Sequence, residues 1–319
     1  MEKDNKLLWI LKGISCIIVI LFHCPLAGIA GDVIIYSMRF PIPVFLMISG
    51  YYSFRKNNYL RYAKKTFHLL VIGEVISAIV IEICFWTGLS KINVFQIVIN
   101  TNWIKTILFG SLFNSTLWYL YATFWGWILF YLLSKTLYGF RVLKWSIIPL
   151  LTMHILGRMI ITKYGDIEHQ VFWFRSTILF VLPFFMIGRL IAEYKEKIKN
   201  CSDMISIILI VAGTMLIVVE YLIWHQYMDL QVSTVFVSIG LFTFAIKNPD
   251  FAQNNILTYI GHISQDIYLL HIPVITFLKP IWRKILPGKL KIFPYIVIAV
   301  TIIIASAYVN VKKHVMKIK

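Results

Sequence analysis

The chain has 319 residues, 59% hydrophobic and only 14% charged, with a mean hydropathy of +0.78 and a formal net charge of +17. Apolar runs of about 18–22 residues recur along most of its length, which is the span needed to cross a bilayer, and they leave few polar faces for a soluble domain. The basic residues cluster between those runs without a stripe of interleaved exposed aromatics, which argues against a nucleic-acid partner and points to loops on the cytoplasmic side of a membrane.

The predicted fold is all-α, a polytopic transmembrane bundle forming a single domain over residues 1–319. Ten spans are expected, at 7–28, 38–54, 66–87, 113–134, 145–161, 174–192, 204–224, 231–246, 256–278 and 292–311. The first opens with LLWILKGISCIIVILFHCPL (Leu7 to Leu26), in which Lys12 and His23 interrupt an apolar run. That run exceeds a signal-peptide core of about 7–15 residues, so despite the small residues at Gly28 to Ala30 it reads as an uncleaved span. The segment around 103–112 reads as a further short helix, re-entrant or lying at the interface.

With ten spans and both termini inside, four basic segments face the cytoplasm: Arg55 to Lys65, Lys135 to Lys144, Lys195 to Lys199, and Lys312 to Lys319. One loop disagrees, since Lys279, Arg283, Lys284, Lys289 and Lys291 would lie outside. No internal repeat, linker or low-complexity tract divides the chain. Cys16, Cys24, Cys84 and Cys201 have no CxxC spacing and read as packing residues.

Lys12 and His23 are eleven residues apart, which returns a helix to within ~20° of the same face some 16 Å along its axis. Ionisable groups inside a span turn to a bundle interior or a wet cavity. The alternative is snorkelling, with each reaching its nearer interface. Glu220 lies near the outer end of the seventh span and Glu82 at a comparable depth in the third, whereas Glu74 sits deeper; each balances a site or pairs with an intramembrane cation. Arg175 opens the sixth span and suits bidentate phosphate or carboxylate contacts. Arg158 reads as an interfacial anchor, and Arg39 fits either role. Trp118 and Tyr119 belong either to an aromatic belt or to a sugar-stacking surface. Ser49 reads as a packing residue, and so does Cys24, because neighbouring helical side chains point about 100° apart. Tyr268 and His271 share a helix face. His154, His169, His225 and His262 show no metal-ligand spacing, so no metal is expected.

Lys12-x10-His23 is similar to the first-helix signature of the acyltransferase-3 family of membrane O-acyltransferases. RFPIPVFLMISGYY (Arg39 to Tyr52), STLWYL (Ser115 to Leu120), LPFFMIGRLI (Leu182 to Ile191) and YIGHISQDIYLLHIPV (Tyr259 to Val274) resemble further motifs of that family, in order. Gln265 departs from a position where an aromatic is common, and Lys12 stands where Arg is commoner. MISGYY, and Glu220 with Trp224 and His225, also resemble the membrane domain of vancomycin-resistance serine racemases, a branch linked to serine uptake.

The resemblance implies an O-acyltransferase of the bacterial cytoplasmic membrane, surrounded by lipid. It would use acetyl-CoA as co-substrate, with no permanently bound cofactor, and a hydroxyl of a cell-surface glycan or its lipid-linked precursor as acceptor. His23 is then the general base and Glu220 its partner. Lys12 and Arg175 hold the donor's phosphates, and Trp118, Tyr119 and Glu82 meet the acceptor. No convincing nucleophile stands out, so direct transfer is expected. The rival readings are a small-solute (amino-acid) transporter, for which two related halves with Gly/Pro-interrupted spans are missing, and a non-catalytic subunit of a polysaccharide synthesis complex. An oligomer is left open.

Overall fold

The computed structural model describes residues 5–110, 112–164, 173–224, 228–286 and 291–317, and all regular elements among them are helical. The predicted positions of His169, His225, Lys289 and Lys319 lie outside the described residues.

Helix α1 (Lys6–His23) starts where the Asn5 side chain accepts the Leu8 N–H at 2.8 Å, satisfying one of the orphan amides of its first turn. The same side chain donates to the Ala245 carbonyl at 2.8 Å, tying the helix start to a distant segment. The second span is broken into α2 (Ile29–Ser37) and α3 (Pro41–Ser53). Pro41 and Pro43 suit the first turn of α3, where an N–H would have no partner, and Arg39 Nε donates to the Ile35 carbonyl at 2.6 Å, satisfying the end of α2.

After α4 (Tyr59–Trp86) come the short helices α5 (Val94–Ile99) and α6 (Trp103–Phe109), then a 3₁₀ turn at Ser115–Leu117 leading into α7 (Trp118–Ser134). Helix α8 (Gly139–Tyr164) contains Pro149. A π turn, Thr177–Val181, feeds α9 (Leu182–Glu193). The remaining helices are α10 (Lys195–Asn200), α11 (Asp203–Trp224), α12 (Val232–Lys247), α13 (Asn255–His262), α14 (Ser264–Ile285) and α15 (Phe293–Lys317).

Among the described residues seven stretches are long and apolar enough to cross a membrane: Lys6–His23, Ile29–Ser53, Tyr59–Trp86, Ser115–Ser134, Gly139–Ile161, Asp203–Trp224 and Phe293–His314. The other three predicted spans take different forms. The one at 174–192 is divided between the π turn and α9, and that at 231–246 is the 16-residue α12. The one at 256–278 breaks at Ile263 between α13 and α14, and α14 carries Asp266, Lys279, Arg283 and Lys284.

Two helix pairs close on reciprocal glycines. A Cβ on Gly50 of α3 would lie 2.0 Å from the Phe185 carbonyl oxygen, and one on Gly188 of α9 would lie 2.0 Å from that of Met47. In the pair of α1 and α13, a Cβ on Gly13 would meet the Leu257 carbonyl oxygen at 2.3 Å and one on Gly261 that of Trp9 at 2.0 Å. Close backbone approach of this kind replaces the hydrophobic drive that helices lack within lipid.

Three polar contacts gather one end of the bundle, here the Lys12 end. Leu7 N–H donates to Pro249 O at 3.1 Å, Lys144 Nζ to Tyr194 Oη at 3.2 Å, and Arg189 to Tyr59 Oη at 3.0 Å. Glu74, mid-way along α4 and buried, turns the chain inward before α7. Its carboxylate accepts the Leu112 and Phe113 N–H groups at 2.9 and 2.8 Å and the Tyr121 hydroxyl at 3.4 Å. These partners, and not an intramembrane cation, satisfy Glu74; non-helical backbone is stable at such depth only where protein covers it.

Candidate active site

The stripe on α1 lines a cavity. Lys12 and Val19 form one wall of a space of about 250 Å³ enclosed with α3, α4, α7 and α14. Lys65 of α4 stands close enough for its charge to act on Lys12, and Lys12 Nζ lies 4.1 Å over the Trp9 ring. The lining surface is otherwise largely apolar, with Ser49, Thr66, Thr123, Ser264 and Gln265 and the tyrosines Tyr62, Tyr119 and Tyr268 as its polar points. Ser49 Oγ donates to the Phe45 carbonyl at 3.0 Å, a bond internal to α3.

His23 follows Val19 by one helical turn, and its ring is exposed although it sits against the buried His271 of α14, with ring centroids 5.4 Å apart. Its imidazole therefore borders an open recess. His271 is held from below, because its Nδ1 lies 2.7 Å from the Tyr268 carbonyl oxygen. Tyr268 is itself fixed, since its hydroxyl donates to the Thr116 carbonyl and its ring meets that of Tyr119 edge-on, centroids 5.6 Å apart. Tyr268 also lines the cavity, so the cavity wall and the two histidines are joined by one turn of α14.

The charged side chains that act on His23 are Arg175, Arg39 and Asp229. Arg175 makes a bidentate pair with Asp229, Nε and Nη2 each 3.0 Å from a carboxylate oxygen, and its guanidinium lies 5.3 Å from the Trp118 ring centre. Asp229 stands in the loop between α11 and α12. Burial alone would raise its carboxyl, but Arg175 beside it, with Arg39 and Arg158 further off, holds it well below the usual carboxylate range. Arg39 lies 4.5 Å over the Phe22 ring.

These positions redistribute several of the expected roles. Lys12 and Arg175 are not brought together, because Arg175 acts on His23, ~16 Å along α1 from Lys12. Glu220 is not beside His23. Its carboxylate accepts the Val232 N–H at 2.9 Å, the Ser233 N–H at 3.3 Å and the Ser233 hydroxyl, so it caps α12 from α11, meeting orphan amides and a helix dipole. Glu82 accepts the Val94 N–H at 3.0 Å and holds the start of α5 in the same manner. Trp118 faces the Arg175 side, whereas Tyr119, next along α7, lines the cavity.

Arg158 is buried within the bundle; its guanidinium lies 5.9 Å from the Phe174 ring centre. His154 is buried between the rings of Phe174 and Phe180, with centroid distances of 5.5 and 5.4 Å. Sequence reasoning passed over Asp229, left Tyr268 and His271 open between helix packing and catalysis, and used Lys65 only as a topology marker. The signal for Asp229 was a lone acid in a short loop between two predicted spans. Among the described residues no group of three or more His, Cys, Asp or Glu side chains comes together to hold a metal.

An apolar helical bundle with polar groups gathered along one interior stripe is the architecture of an integral-membrane protein whose site lies within the bundle. The chain belongs to the acyltransferase-3 family, whose model, described as an acyltransferase domain, matches residues 7–310. No curated protein and no solved structure matches the chain significantly.

Proposed function

We propose that this acyltransferase moves an acetyl group from acetyl-CoA to a hydroxyl of a cell-surface glycan or its lipid-linked precursor, in the cytoplasmic membrane of a bacterium. The Lys12 end faces the cytoplasm and admits the donor. Lys12 and Lys65 neutralise its phosphates, and the pantetheine arm lies in the apolar cavity with the thioester towards the histidines. Arg175, Asp229 and Trp118 receive the polar acceptor at the far end, Arg175 and Asp229 through hydrogen bonds and Trp118 through its ring face.

The observation that carries this reading is the cavity whose wall includes Lys12 and Val19, one turn short of His23. It runs from a basic mouth towards His23 through a lining suited to a long, uncharged arm. His23 accepts the proton of the attacking hydroxyl as the oxygen adds to the thioester carbonyl. The tetrahedral oxyanion then collapses, the C–S bond breaks, and the CoA thiolate takes the proton from the imidazolium. A partly buried charge near such a site is worth more than in water, which gives Arg175 leverage on the developing oxyanion.

The test is single-turnover release of free CoA by purified protein in nanodiscs, wild type beside His23→Ala, with a cell-envelope glycan extract as acceptor. Acceptor-dependent release that is lost in a folded variant supports the reading. Full turnover by the variant removes His23 from the chemistry. A wild type that binds no acetyl-CoA overturns the donor assignment and favours solute transport.

A further inference from the structure

His271 has a property that a packing residue does not need. Its ring is 0% exposed, and Nδ1 lies 2.7 Å from the Tyr268 carbonyl oxygen. A carbonyl only accepts, so this contact requires the proton on Nδ1 and leaves Nε2 as a bare lone pair. Among the described residues that Nε2 is buried with no hydrogen-bond partner. A buried acceptor is seldom left unsatisfied, and where it is, a functional partner is the natural candidate. The imidazole beside this ring is that of the exposed His23, 5.4 Å away, centroid to centroid, at 42°. An N–H···N bond of about 3 Å between imidazoles, with about 1 Å from each ring centre to its nitrogen, needs a separation of about 5 Å. The two rings already stand at that spacing.

We propose that His271 is the positioning residue for His23: its Nε2 accepts the N–H of His23, so that the opposite nitrogen of His23 is the one presented, unprotonated, to the recess. This rests on the reading of His23 as the base. It gives the orienting role, expected of a carboxylate, to a neutral imidazole that adds no charge to a buried site. In turnover the acceptor's hydroxyl proton passes to the free nitrogen of His23. The N–H···Nε2 bond stays in place and helps hold the imidazolium, and the proton leaves on the CoA thiolate. Tyr268 takes part at one remove, because its carbonyl fixes the tautomer of His271 while its hydroxyl is anchored on Thr116.

Two substitutions separate positioning from packing. His271→Gln can place an amide oxygen near the Nε2 position, whereas His271→Asn can keep only a donor near Nδ1, towards the Tyr268 carbonyl. Positioning predicts single-turnover rates within about 10-fold of wild type for the Gln variant and about 100-fold lower for the Asn variant, with the KM for acetyl-CoA unchanged in both. The reverse order, Asn active and Gln dead, overturns the proposal and leaves His271 a structural tie to α14. A second measurement needs no variant to be active: nitrogen-15 NMR of histidine-labelled wild type in bilayers. It should report His271 as the neutral Nδ1–H tautomer, coupled across a hydrogen bond to His23; the Nε2–H tautomer or an uncoupled pair overturns the proposal. If the wild type releases no CoA, the acyl-transfer reading fails, and the NMR experiment still decides whether His271 holds His23.

Discussion

Adding one methyl group at Gly188 puts a carbon 2.0 Å from the Met47 carbonyl oxygen, where ordinary contact needs about 3.5 Å, so α3 and α9 must separate by more than about 1 Å. Neither side can yield by changing a rotamer, because the obstacle is backbone. An interface of about 50 atom pairs at 0.1–0.2 kcal/mol each, opened far enough to lose a third to a half of that attraction, costs about 2–4 kcal/mol. Gly126→Ala is the control, because its Cβ would meet Val181 Cγ1 at 2.8 Å, a side chain able to move, for about 1 kcal/mol. Gly50 and Gly188 press on the same interface, so Gly50→Ala with Gly188→Ala should cost about 1 kcal/mol or more less than the two singles together. Reversible unfolding in bicelles, followed by steric trapping, measures all four variants. Gly188→Ala costing no more than Gly126→Ala would refute the claim that these glycines set the helix spacing.

Other consequences concern charge and capping. Glu220→Gln should cost about 1–2 kcal/mol of stability through the start of α12, with turnover per folded molecule retained; a collapse of kcat in well-folded protein would return Glu220 to the site. Lys12→Ala should raise the KM for acetyl-CoA about 10- to 100-fold with kcat little changed, as loss of one charge-assisted contact predicts, while Lys12→Arg should restore much of it. Asp229→Asn removes the charge that pairs with Arg175 in the bidentate contact, and with the two side chains 13% and 35% exposed the cost should be about 1–3 kcal/mol, below that of a fully buried pair. Because the folded Asp229 titrates below its unfolded value of about 3.9, its contribution is present above that pH and is lost only as pH falls through the lower folded value. The difference in melting temperature between wild type and Asp229→Asn should therefore stay constant from about pH 8 to about pH 4.5 and shrink only in stronger acid.

The α1 stripe was legible because helical geometry alone relates Lys12 to His23, and a cation within an apolar run is a signal with few innocent explanations. The Ser-Gly motif was legible as a helix contact, though not its partner at Gly188, which stood only in a motif of the resemblance. Partner choice was where inference from sequence stopped. Arg175 and Asp229 are 54 residues apart, and nothing local to either names the other. Glu220 was assigned by depth in its span and by the resemblance that reaches it, but neither says which way a side chain turns, and the open amides of α12 claim it. His271 stayed open between packing and catalysis because its value lies in which nitrogen carries the proton, and that is set by a carbonyl three residues back. The division at Ile263 was hidden for a similar reason: apolar residues run across it, while Asn254 caps α13 at 2.9 Å and the reciprocal contact of Gly261 with α1 holds that short helix in its own direction.

The central claim is that one cavity carries the donor from Lys12 to His23, and the most direct measurement is a cryo-electron microscopy structure in nanodiscs with a non-transferable thioether analogue of acetyl-CoA. The account predicts phosphate density beside Lys12 and Lys65, the pantetheine arm between Ser49 and Tyr268, and the acetyl carbon within reach of His23. Density for the analogue anywhere outside this cavity, or with its phosphates at Arg175, would contradict it.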